Sequence, residues 1–445
     1  MPRILHLGIG NFHRAHQAWY TQLSNAHDND AWKITAVSLR RPDVRDTLAP
    51  QDFDYTLVIK GTADTEYLRI NLHDEILVGP ENPQAVVDHI ADPDTTIVSL
   101  TVTEKGYYVD TRSGKFQAKD PVIAKEISEG KPSTAIGYLA FGLKARKLAH
   151  GKPITIMSCD NLSANGETLH GAVDAFQKAA GLDLSDYLQN SIAFPSAMVD
   201  RITPATTDEL RAEVLDATGW ADHSPVSTET FSEWTIEDNF AAERPSWDQV
   251  GVQIVADVAP YELRKLRLLN GPHSLLAYAG LFHGHRYVHE AIADPKLRGL
   301  AAGLMTEAAV TLPDEIQSST PNYSNELIER FANPALKHEL IQIAMDGSQK
   351  LPVRLLSTVK DRMQAGKKSP NALEGVAYWL IFVLSRSASG EAINDPQADT
   401  FLNIAKSSGT IREKLEAVLK VAEPDLASIS ELPALLDRAE AIMTG

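Results

Sequence analysis

The stretch "LHLGIGNFHRAHQ", residues 5–17, carries the first structural signal of this chain. It begins as a short apolar strand and runs into a turn at Gly8 and Gly10. Two glycines at this spacing permit a tight turn and let backbone N–H groups approach a pyrophosphate at the start of a helix. His13 stands where the third glycine of G-x-G-x-x-G is expected, so backbone geometry alone is a second explanation for the glycines. The place of the motif at the first strand favours a dinucleotide-binding βα unit.

The rest of the chain divides into two regions with different secondary-structure patterns. Strand-like and helix-like segments alternate in the first half, and the apolar, β-branched run "TTIVSLTV" is typical of a strand buried on both faces. Such alternation predicts a parallel sheet covered by helices. From Tyr261 onward nearly every segment has helical periodicity, with prolines between the segments. We therefore predict an α/β nucleotide-binding domain over residues 1–255 and an all-α domain over residues 256–445.

Composition excludes several functional classes. The 445 residues include 42 Lys and Arg against 59 Asp and Glu, a formal net charge of −17, which disfavours binding to nucleic acid or anionic lipid. No apolar run has the length of a membrane span, and the chain starts on a strand where a signal peptide would lie. Cys159 is the single cysteine, so intrachain disulfides and thiolate-rich zinc sites are excluded. We expect a cytoplasmic protein with a small-molecule ligand.

Histidines are the remaining candidates for a metal site. His283, His285 and His289 lie close together in "FHGHRYVHE". On a helix, His285 and His289 share a face, but the sequence places no convincing third ligand beside them. A solvated helix face is the better interpretation, and we predict no metal.

Two loops are candidates for cofactor contact. The second strand should end in an acid that binds the adenine ribose of NAD, but Arg40 and Arg41 come first and Asp43 follows. Because arginine can also meet a 2′-phosphate, the choice between NAD and NADP stays open, and both arginines are alternatively solvated loop residues. Thr103 and Glu104 follow a buried strand and fall at the sheet edge where cofactors bind.

The start of the helical region concentrates reactive side chains. In "ELRKLRLLNGPHS", Lys265, Asn270 and His273 are five and three residues apart, which places them within about 140° on one helix. Two other interpretations stand beside this one. Gly271 and Pro272 would interrupt the helix and make Asn270 an N-cap, and Lys265 would be a solvated lysine among neighbouring arginines.

These motifs together resemble a known family. With "GIGNFHRAHQAWY", "SLTVTEKGYY", "IMSCDNLSANG", "FPSAMVDRITP" and "EWTIEDNF", the chain closely resembles the long-chain, metal-independent mannitol dehydrogenases. That family also includes D-arabinitol 4-dehydrogenases and reductases of fructuronate or tagaturonate. The resemblance implies a Rossmann-type N-terminal domain, a mostly helical C-terminal domain and NAD as cofactor, with NADP left open.

The resemblance also implies roles for individual residues. The family's catalytic lysine falls on Lys265, its two oxyanion-binding asparagines on Asn161 and Asn270, and its substrate-orienting histidine on His273. Further substrate contacts implied by the family motifs are Asp200, Glu262 and Lys350. The opening stretch resembles the family's G-x-G-x-F-H-x-x-H version of the cofactor loop, which implies cofactor contacts from Gly8, Gly10, Asn11, Phe12 and His13, with Arg14 also close to the cofactor.

This set of residues suits the oxidation of a secondary alcohol. The reaction removes the O–H proton while a hydride leaves the carbon. A lysine accepts the proton only when it is neutral, which requires a pKa lowered by burial or nearby positive charge. Two carboxamide N–H donors stabilise the alkoxide without adding net charge. We expect Lys265 to be the general base and the two asparagines to hold the oxygen.

The substrate divides the family, and the sequence points both ways. Some polyol dehydrogenases carry an arginine eight residues before the lysine matched by Lys350, whereas this chain has Gln342. Arg354 is a candidate for binding a carboxylate, or a surface charge on a helix. The first interpretation is a dehydrogenase of mannitol, sorbitol or arabinitol, the second is a hexuronate reductase, and the third is a cofactor-binding sensor without catalysis. The resemblance and the negative charge favour a monomer.

Overall fold

The computed structural model describes residues 2–62, 64–110, 113–335 and 337–444. The chain forms two compact units, Met1–Ala259 and Pro260–Gly445. The predicted boundary after residue 255 lies four residues before this division, at the end of the last strand. Among the described residues, no helix is both long enough and apolar enough to span a membrane.

The first unit is an α/β structure. Its strands are β1 Arg3–Leu7, β2 Lys33–Ser38, β3 Tyr55–Lys60, β4 Thr65–Ile70, β5 His73–Val78, β6 Thr95–Leu100, β7 Ile154–Ser158, β8 Ile192–Ala193, β9 Ala197–Asp200, β10 Val226–Glu229, β11 Glu233–Glu237 and β12 Gln253–Val255. Its helices are α1 Asn11–Ala15, α2 Gln17–Ser24, α3 Asp43–Leu48, α4 Pro83–Ala91, α5 Pro121–Glu129, α6 Ala135–Ala149, α7 Asn165–Ala180, α8 Ser185–Ser191 and α9 Asp208–Thr218.

The main sheet has six parallel strands in the order β5-β2-β1-β6-β7-β8. From β1 the chain first builds outward to β2 on one side, and β6 later pairs with β1 on the other side. The loops that follow β1 and β6 therefore leave the sheet side by side, at the crevice where ligands bind in doubly wound folds. The predicted parallel sheet covered by helices is confirmed.

Two small sheets complete the first unit. β3 pairs antiparallel with β4 and parallel with β10, while β11 pairs antiparallel with β9 and parallel with β12. The side chains of Trp234 and Trp247 fill the space between these sheets and α2, with ring centroids 4.7 Å apart. Both tryptophans are fully buried, so this packing joins the small sheets to the same core as β1.

The second unit is all-α, as predicted. Its helices are α10 Ala259–Arg264, α11 Gly271–Phe282, α12 Val288–Ala293, α13 Pro295–Ala309, α14 Asp314–Gln317, α15 Thr320–Phe331, α16 Leu340–Ile343, α17 Gly347–Leu351, α18 Ser357–Gln364, α19 Pro370–Ser389, α20 Ala398–Lys406, α21 Ile411–Ala422 and α22 Leu432–Thr444. Two π-helical segments, Lys265–Asn270 and Pro352–Leu356, continue into α11 and α18.

The long helix α19 is the centre of this unit. It packs against α11, α13, α20, α21 and α22, and buried side chains occur around most of its circumference. α11 lies beside it, with every residue from Gly271 to Gly280 buried. The polar residues His273 and Ser274 are therefore held on a rigid, enclosed helix rather than on a surface loop.

Candidate active site

The glycine turn after β1 has the geometry that its sequence predicts. Gly8 adopts φ +106°, and a Cβ at this position would overlap the carbonyl oxygen of Thr101. Gly10 is exposed, and a Cβ there would have no atom closer than the Gly8 oxygen at 4.0 Å. Position 8 therefore requires glycine, whereas the space on the outer side of Gly10 is open to a ligand.

Asn11 and Phe12 continue the loop from the exposed glycine. The Asn11 amide donates to the Pro204 carbonyl at 3.1 Å and its oxygen accepts from Arg14 at 2.7 Å, so the side chain ties the loop down. Phe12 is half-buried against the core and stacks on His16 with ring centroids 4.9 Å apart. Phe12 thus packs the turn onto the sheet.

His13 and Arg14 differ from the expected arrangement. Both side chains are buried, His13 completely and Arg14 to 2% exposure. His13 contacts His73 and Gln17, while Arg14 donates to the Ser224 carbonyl at 2.7 Å. The prediction that these two side chains touch a cofactor is wrong, because both are directed into the interior and bonded there.

The loop after β2 exposes its basic residues. Arg40 and Arg41 are exposed, and Arg41 pairs with Asp43 at 3.3 Å on the surface. Asp43 is the first residue of α3. The first acid after the strand is therefore paired with Arg41, and the side chains of both arginines remain exposed on this turn.

A strained turn follows β6. Thr103 has φ +65° and ψ 164°, a conformation that is unfavourable for a β-branched residue, and both Thr103 and Glu104 are exposed. The carboxylate of Asp160 accepts the backbone N–H groups of Val102 and Thr103, each at 2.9 Å. Tyr107 donates its hydroxyl to the same carboxylate at 2.8 Å. Asp160 therefore fixes the turn that presents Thr103 and Glu104.

Asp160 is a functional residue that the sequence reasoning missed. Burial raises the pKa of its carboxyl, while the bonds from Val102, Tyr107 and Thr103 oppose that shift. Its signal was an acid directly after a buried strand, in the same "SCDN" segment that supplied Asn161. Asn161 itself is exposed and immediately follows this anchor, whereas Asp200 is 6% exposed at the end of β9.

In the second unit, the Lys265–Asn270 segment changes the expected geometry. An α helix would separate residues five apart by about 140°, and the i to i+5 bonding of a π helix brings them closer together around the helix axis. Asn270 has helical angles of −72° and −31° and the chain continues into α11, so the alternative that Asn270 caps a new helix after a break is wrong. Lys265 and Asn270 share one face of the segment.

Lys265 is not a solvated lysine. Its exposure is 9%, and the flanking Arg264 and Arg267 are 6% and 5% exposed. Arg267 donates to the Thr311 carbonyl at 2.9 Å and pairs with Asp361. The alternative interpretation, a solvated cationic surface, therefore fails for all three side chains. Glu262 lies in α10 three residues before Lys265 and is half-buried.

His273 is enclosed on the next turn of α11. Its ring stacks on Phe331 at a centroid distance of 4.6 Å and meets the edge of His338 at 5.2 Å. Within the described ranges, its Nε2 atom is buried without a hydrogen-bond partner. Burial lowers the pKa of His273 well below its usual value, and the charges of His338, Arg354 and Arg330 act in the same direction. The imidazole is therefore neutral and keeps one nitrogen for another group.

Arg354 lies on the second π-helical segment. The two segments come together at Gly271, where a Cβ would stand 2.9 Å from the Arg354 carbonyl oxygen. The guanidinium donates to the Ser274 hydroxyl at 3.2 Å, and burial lowers its pKa. No carboxylate among the described residues forms an ion pair with it. Arg354 is thus a partly enclosed cation with unused donors, and the alternative of a surface charge on a helix is wrong.

The predicted substrate contact Lys350 and Gln342, which replaces the arginine of some polyol dehydrogenases, are less enclosed. Lys350 is half-buried near the end of α17, and Gln342 is exposed on α16. Each of the three clustered histidines contacts a different residue: His283 lies 3.3 Å from the Tyr378 hydroxyl, His285 lies 3.7 Å from Asp294, and His289 stacks on Tyr287. In the part of the chain that the structure describes, no three His, Cys, Asp or Glu side chains form a metal-binding group.

Fold and residues together define a two-domain protein with a dinucleotide-binding-type sheet and a separate helical unit that carries a buried lysine, an asparagine and a histidine. Residues 2–249 match the family model for the mannitol dehydrogenase Rossmann domain, and residues 257–439 match that for the mannitol dehydrogenase C-terminal domain. The chain belongs to the mannitol dehydrogenase family.

Individual relatives differ in their substrates. The chain is 41% identical over 426 residues to the D-mannonate oxidoreductase of Escherichia coli K12, covering 93% of this chain and 87% of that protein. It is 38% identical over 406 residues to a mannitol 2-dehydrogenase of Phaeosphaeria nodorum, covering 89% and 72% respectively.

Solved structures extend the same similarity. The Pseudomonas fluorescens mannitol 2-dehydrogenase, in a ternary complex with NAD and D-mannitol, has 35% identity and a TM-score of 0.85, covering 99% of this chain and 91% of that one. A D-sorbitol dehydrogenase in substrate-free form has 30% identity and a TM-score of 0.89, with 99% and 92% coverage.

Proposed function

We propose that this protein is an NAD-dependent oxidoreductase that interconverts a sugar alcohol of the mannitol, sorbitol or arabinitol type and its ketose. The observation that carries the proposal is the shared face of Lys265 and Asn270 on the π-helical segment, with His273 on the following turn. A base and an oxyanion donor on one rigid face are what oxidation of an alcohol requires. Membership of the mannitol dehydrogenase family supports the same assignment.

The residues of the first unit fit a dinucleotide. Gly8 and Gly10 lie at the crevice between β1 and β6, where such cofactors bind. Gly8 turns the chain inward, and the space beside Gly10 is open. Gly8, Gly10, Asn11 and Phe12 would hold the pyrophosphate side of the cofactor. The bound nicotinamide supplies the hydride acceptor in oxidation and the hydride donor in reduction.

The loops after β2 and β6 would hold the two ends of the cofactor. Thr103 and Glu104 are exposed on the turn that Asp160 fixes, and we assign them to the nicotinamide side. Arg40 is exposed and is assigned to the adenine ribose, where its guanidinium is compatible with the 2′-hydroxyl of NAD or the 2′-phosphate of NADP. Kinetics with both cofactors measure that preference.

In the proposed mechanism, Lys265 accepts the proton from the substrate hydroxyl and returns it during reduction. Its low exposure limits the access of competing water. The amides of Asn270 and Asn161 donate to the developing alkoxide, and Asn161 takes this role by similarity to the family motif. The free Nε2 of His273 binds a neighbouring hydroxyl of the substrate. Asp200, Glu262 and Lys350 are proposed further substrate contacts. The mechanism uses no metal.

A substrate panel tests this proposal. The purified chain is assayed with mannitol, sorbitol and arabinitol, and with fructuronate and tagaturonate in the reductive direction, each with both cofactors and with and without EDTA. Turnover of a polyol that persists in EDTA supports the proposal, and activity restricted to uronates would contradict it. Tight NADH binding without turnover of any substrate would identify a sensor instead. We also propose a monomeric, cytoplasmic protein, and sedimentation analysis checks the monomer.

A hexuronate reductase is a second candidate, favoured by one observation. Arg354 is largely enclosed, bonded to Ser274 and without an ion-pair partner among the described side chains, which suits a substrate carboxylate. The similarity to a D-mannonate oxidoreductase points in the same direction. Replacement of Arg354 by Met should raise KM for a uronate about 10- to 100-fold, because a charged hydrogen bond is lost. KM for a polyol should change far less.

A further inference from the structure

A buried group of polar side chains lies beneath the glycine turn of the first unit, and the proposed mechanism does not use it. We call it the histidine network, and it consists of His6, His13, Gln17, His73, Ser99 and Thr101. All of these residues except Thr101, which is partly exposed, are at most 3% exposed. His6 and His13 are stacked with centroids 3.5 Å apart. Because these side chains are buried, their N–H and O–H groups must find hydrogen-bond partners within the network.

One branch of the network ends at the glycine turn. The Gly8 carbonyl accepts from the Gly10 N–H at 2.8 Å and from the Thr101 hydroxyl at 2.7 Å. Nε2 of His6 lies 2.9 Å from the Thr101 oxygen and 3.1 Å from the Gly8 oxygen. Because the Gly8 carbonyl can only accept, its contact with Nε2 of His6 is a hydrogen bond when Nε2 carries a proton, and the Thr101 hydroxyl then donates to Gly8.

The same logic runs back from His6 to Gln17. With Nε2 protonated, Nδ1 of neutral His6 is an acceptor, so the Ser99 hydroxyl at 2.8 Å donates to it. Ser99 then has no proton for the side-chain amide of Gln17, which is also 2.8 Å away. That contact is satisfied only if the amide NH2 group of Gln17, rather than its oxygen, faces Ser99.

The second branch runs from Gln17 to His73. The end of the Gln17 amide that faces Ser99 also lies 3.1 Å from Nδ1 of His13, and Nε2 of His13 lies 3.0 Å from Nε2 of His73. If the NH2 group faces both neighbours, it donates twice, and His13 in turn donates to His73. In the opposite orientation the Gln17 nitrogen has no partner among the described residues, and both of its hydrogens are buried unpaired.

The two arrangements differ in what they leave unpaired. With the NH2 group inward, the N–H at Nδ1 of His73 and the oxygen of Gln17 have no partner among the described residues. The reverse arrangement leaves both N–H bonds of the Gln17 amide and Nδ1 of His73 unpaired and takes the Thr101 proton from Gly8. We propose that Gln17 is a positioning residue whose amide donates to Ser99 and His13. It thereby sets the donor-to-acceptor direction of both series of hydrogen bonds: one ends at the Gly8 carbonyl and the other ends at His73.

The consequence is a pinned cofactor turn. With the protons in this direction, the Gly8 carbonyl receives Gly10, Thr101 and His6 as donors, which holds the peptide inward at φ +106°. With the protons reversed, Thr101 and His6 no longer donate to Gly8. The effect on dinucleotide affinity rests on the proposed function, whereas the positions of the protons do not.

Nuclear magnetic resonance tests the proton positions in the unmodified protein. Long-range nitrogen–proton spectra of the full chain with ¹⁵N-labelled histidine distinguish the two tautomers, and single replacements of His6, His13 and His73 assign the signals. We expect a proton on Nε2 of His6 and of His13 and on Nδ1 of His73. A proton on Nδ1 of His6 or of His13 would overturn the proposal.

A variant pair then tests the role of Gln17. Gln17→Glu keeps the size of the side chain, but its carboxylate only accepts, so His13 should shift its proton to Nδ1 and KM for NAD should rise about fivefold. kcat should stay unchanged, as should KM for the polyol or uronate. Gln177→Glu is the matched control, because Gln177 is a buried glutamine of the same unit on α7. It should change neither the tautomers nor KM.

The outcomes separate this inference from the proposed function. If Gln17→Glu does not fold, the spectra of the unmodified chain still decide the proton positions. An unchanged His13 tautomer in a folded Gln17→Glu protein would refute the role of Gln17. If the tautomers respond and no substrate is turned over, the network is supported while the proposed function fails.

Discussion

The glycine turn of the first unit and the Lys265–His273 helix of the second unit both enclose polar side chains, but they use them differently. Below the turn, His6, His13 and Gln17 bond to one another and to the backbone at Gly8. On the helix, His273 keeps unused hydrogen-bonding capacity, as does Arg354 on the neighbouring Pro352–Leu356 segment. Polar residues of the first region are bonded within the fold, whereas those of the second have hydrogen-bonding capacity left for a ligand.

Burial alone does not distinguish these two uses. His13 and His273 are both enclosed, and the pKa of each is lowered well below its usual value, with burial as the largest cause. The difference lies in the partners, because His13 is bonded through both ring nitrogens and His273 stacks on Phe331. Variants of matched chemistry in the two regions should therefore have different effects.

The largest expected effect is on the helix. Lys265→Ala should reduce kcat about 1,000-fold, because the proposed proton acceptor is lost, while the Kd for NADH should stay nearly the same. Steady-state kinetics and NADH fluorescence titration measure the two quantities. Lys296→Ala is the control, since Lys296 is an exposed lysine of the same unit. Retention of most activity in the Lys265 variant would remove this residue from the mechanism.

The next effect is on the turn and appears first as instability. Gly8→Ala places a Cβ against the Thr101 carbonyl at a positive φ, and should destabilise the fold by about 3 kcal/mol or more. Gly10→Ala meets no atom within contact distance, so it should fold normally and raise only KM for the dinucleotide. Urea unfolding and kinetics of both variants check the contrast, and equal stability of the two would contradict it.

A histidine exchange compares the regions directly. His273→Phe keeps a ring against Phe331 and removes Nε2, so KM for the substrate should rise about tenfold with little loss of stability. His13→Phe removes both network bonds, so it should lower the thermal stability and leave KM for the substrate unchanged. If both variants changed only stability, His273 would have no role in substrate binding.

The last prediction concerns the dependence of stability on pH. Burial lowers the pKa of His6 and of His73 to about 3, so both stay neutral in the fold while the unfolded chain takes up protons below about pH 6.5. Stability from these groups is complete above pH 6.5 and is lost as pH falls toward 3. When the pH is lowered from 6.5 to 5, each of these two histidines should reduce the free energy of unfolding by about 2 kcal/mol.

The sign of this pH effect is informative. The formal net charge of −17 would by itself make the fold more stable as acid reduces repulsion. Urea unfolding at pH 7 and pH 5 separates the two causes, and His73→Asn should reduce the loss at pH 5. Greater stability at pH 5 in the unmodified protein would contradict a neutral histidine network.

Local sequence was sufficient for the main elements of the fold. The buried strand at residues 95–100 and the helical periodicity after Tyr261 follow from patterns within single segments, and both are present. The alternation of residues 54–78 around a glycine-containing turn is typical of a hairpin or β-meander, yet the segment at residues 73–78 joins β2 in the parallel sheet. Its pairing depends on which distant strand offers a free edge, which periodicity does not encode.

The residues of the candidate site could be predicted from the sequence, but the helix geometry and the contacts around them could not. The family motifs singled out Lys265, Asn270 and His273, and the sequence spacing suggested a common helical face. The sequence did not predict the π-helical geometry, which brings Asn270 closer to Lys265 around the helix axis, because the propensities of these residues favour an ordinary α helix. Asp160 was missed because its value lies in bonds to Val102 and Thr103 on another strand.

By itself, the sequence determined the order of strands and helices, the glycine turn and the kinds of reactive side chain, because covalent neighbours and periodicity control those features. Tertiary structure alone decided what each side chain does. His13 meets His73 sixty positions away, and Gln17 meets Ser99 eighty-two positions away, so a histidine that the motif places beside a cofactor lies instead inside the fold. Burial and hydrogen bonding depend on contacts between distant segments, and only the folded chain brings those segments together.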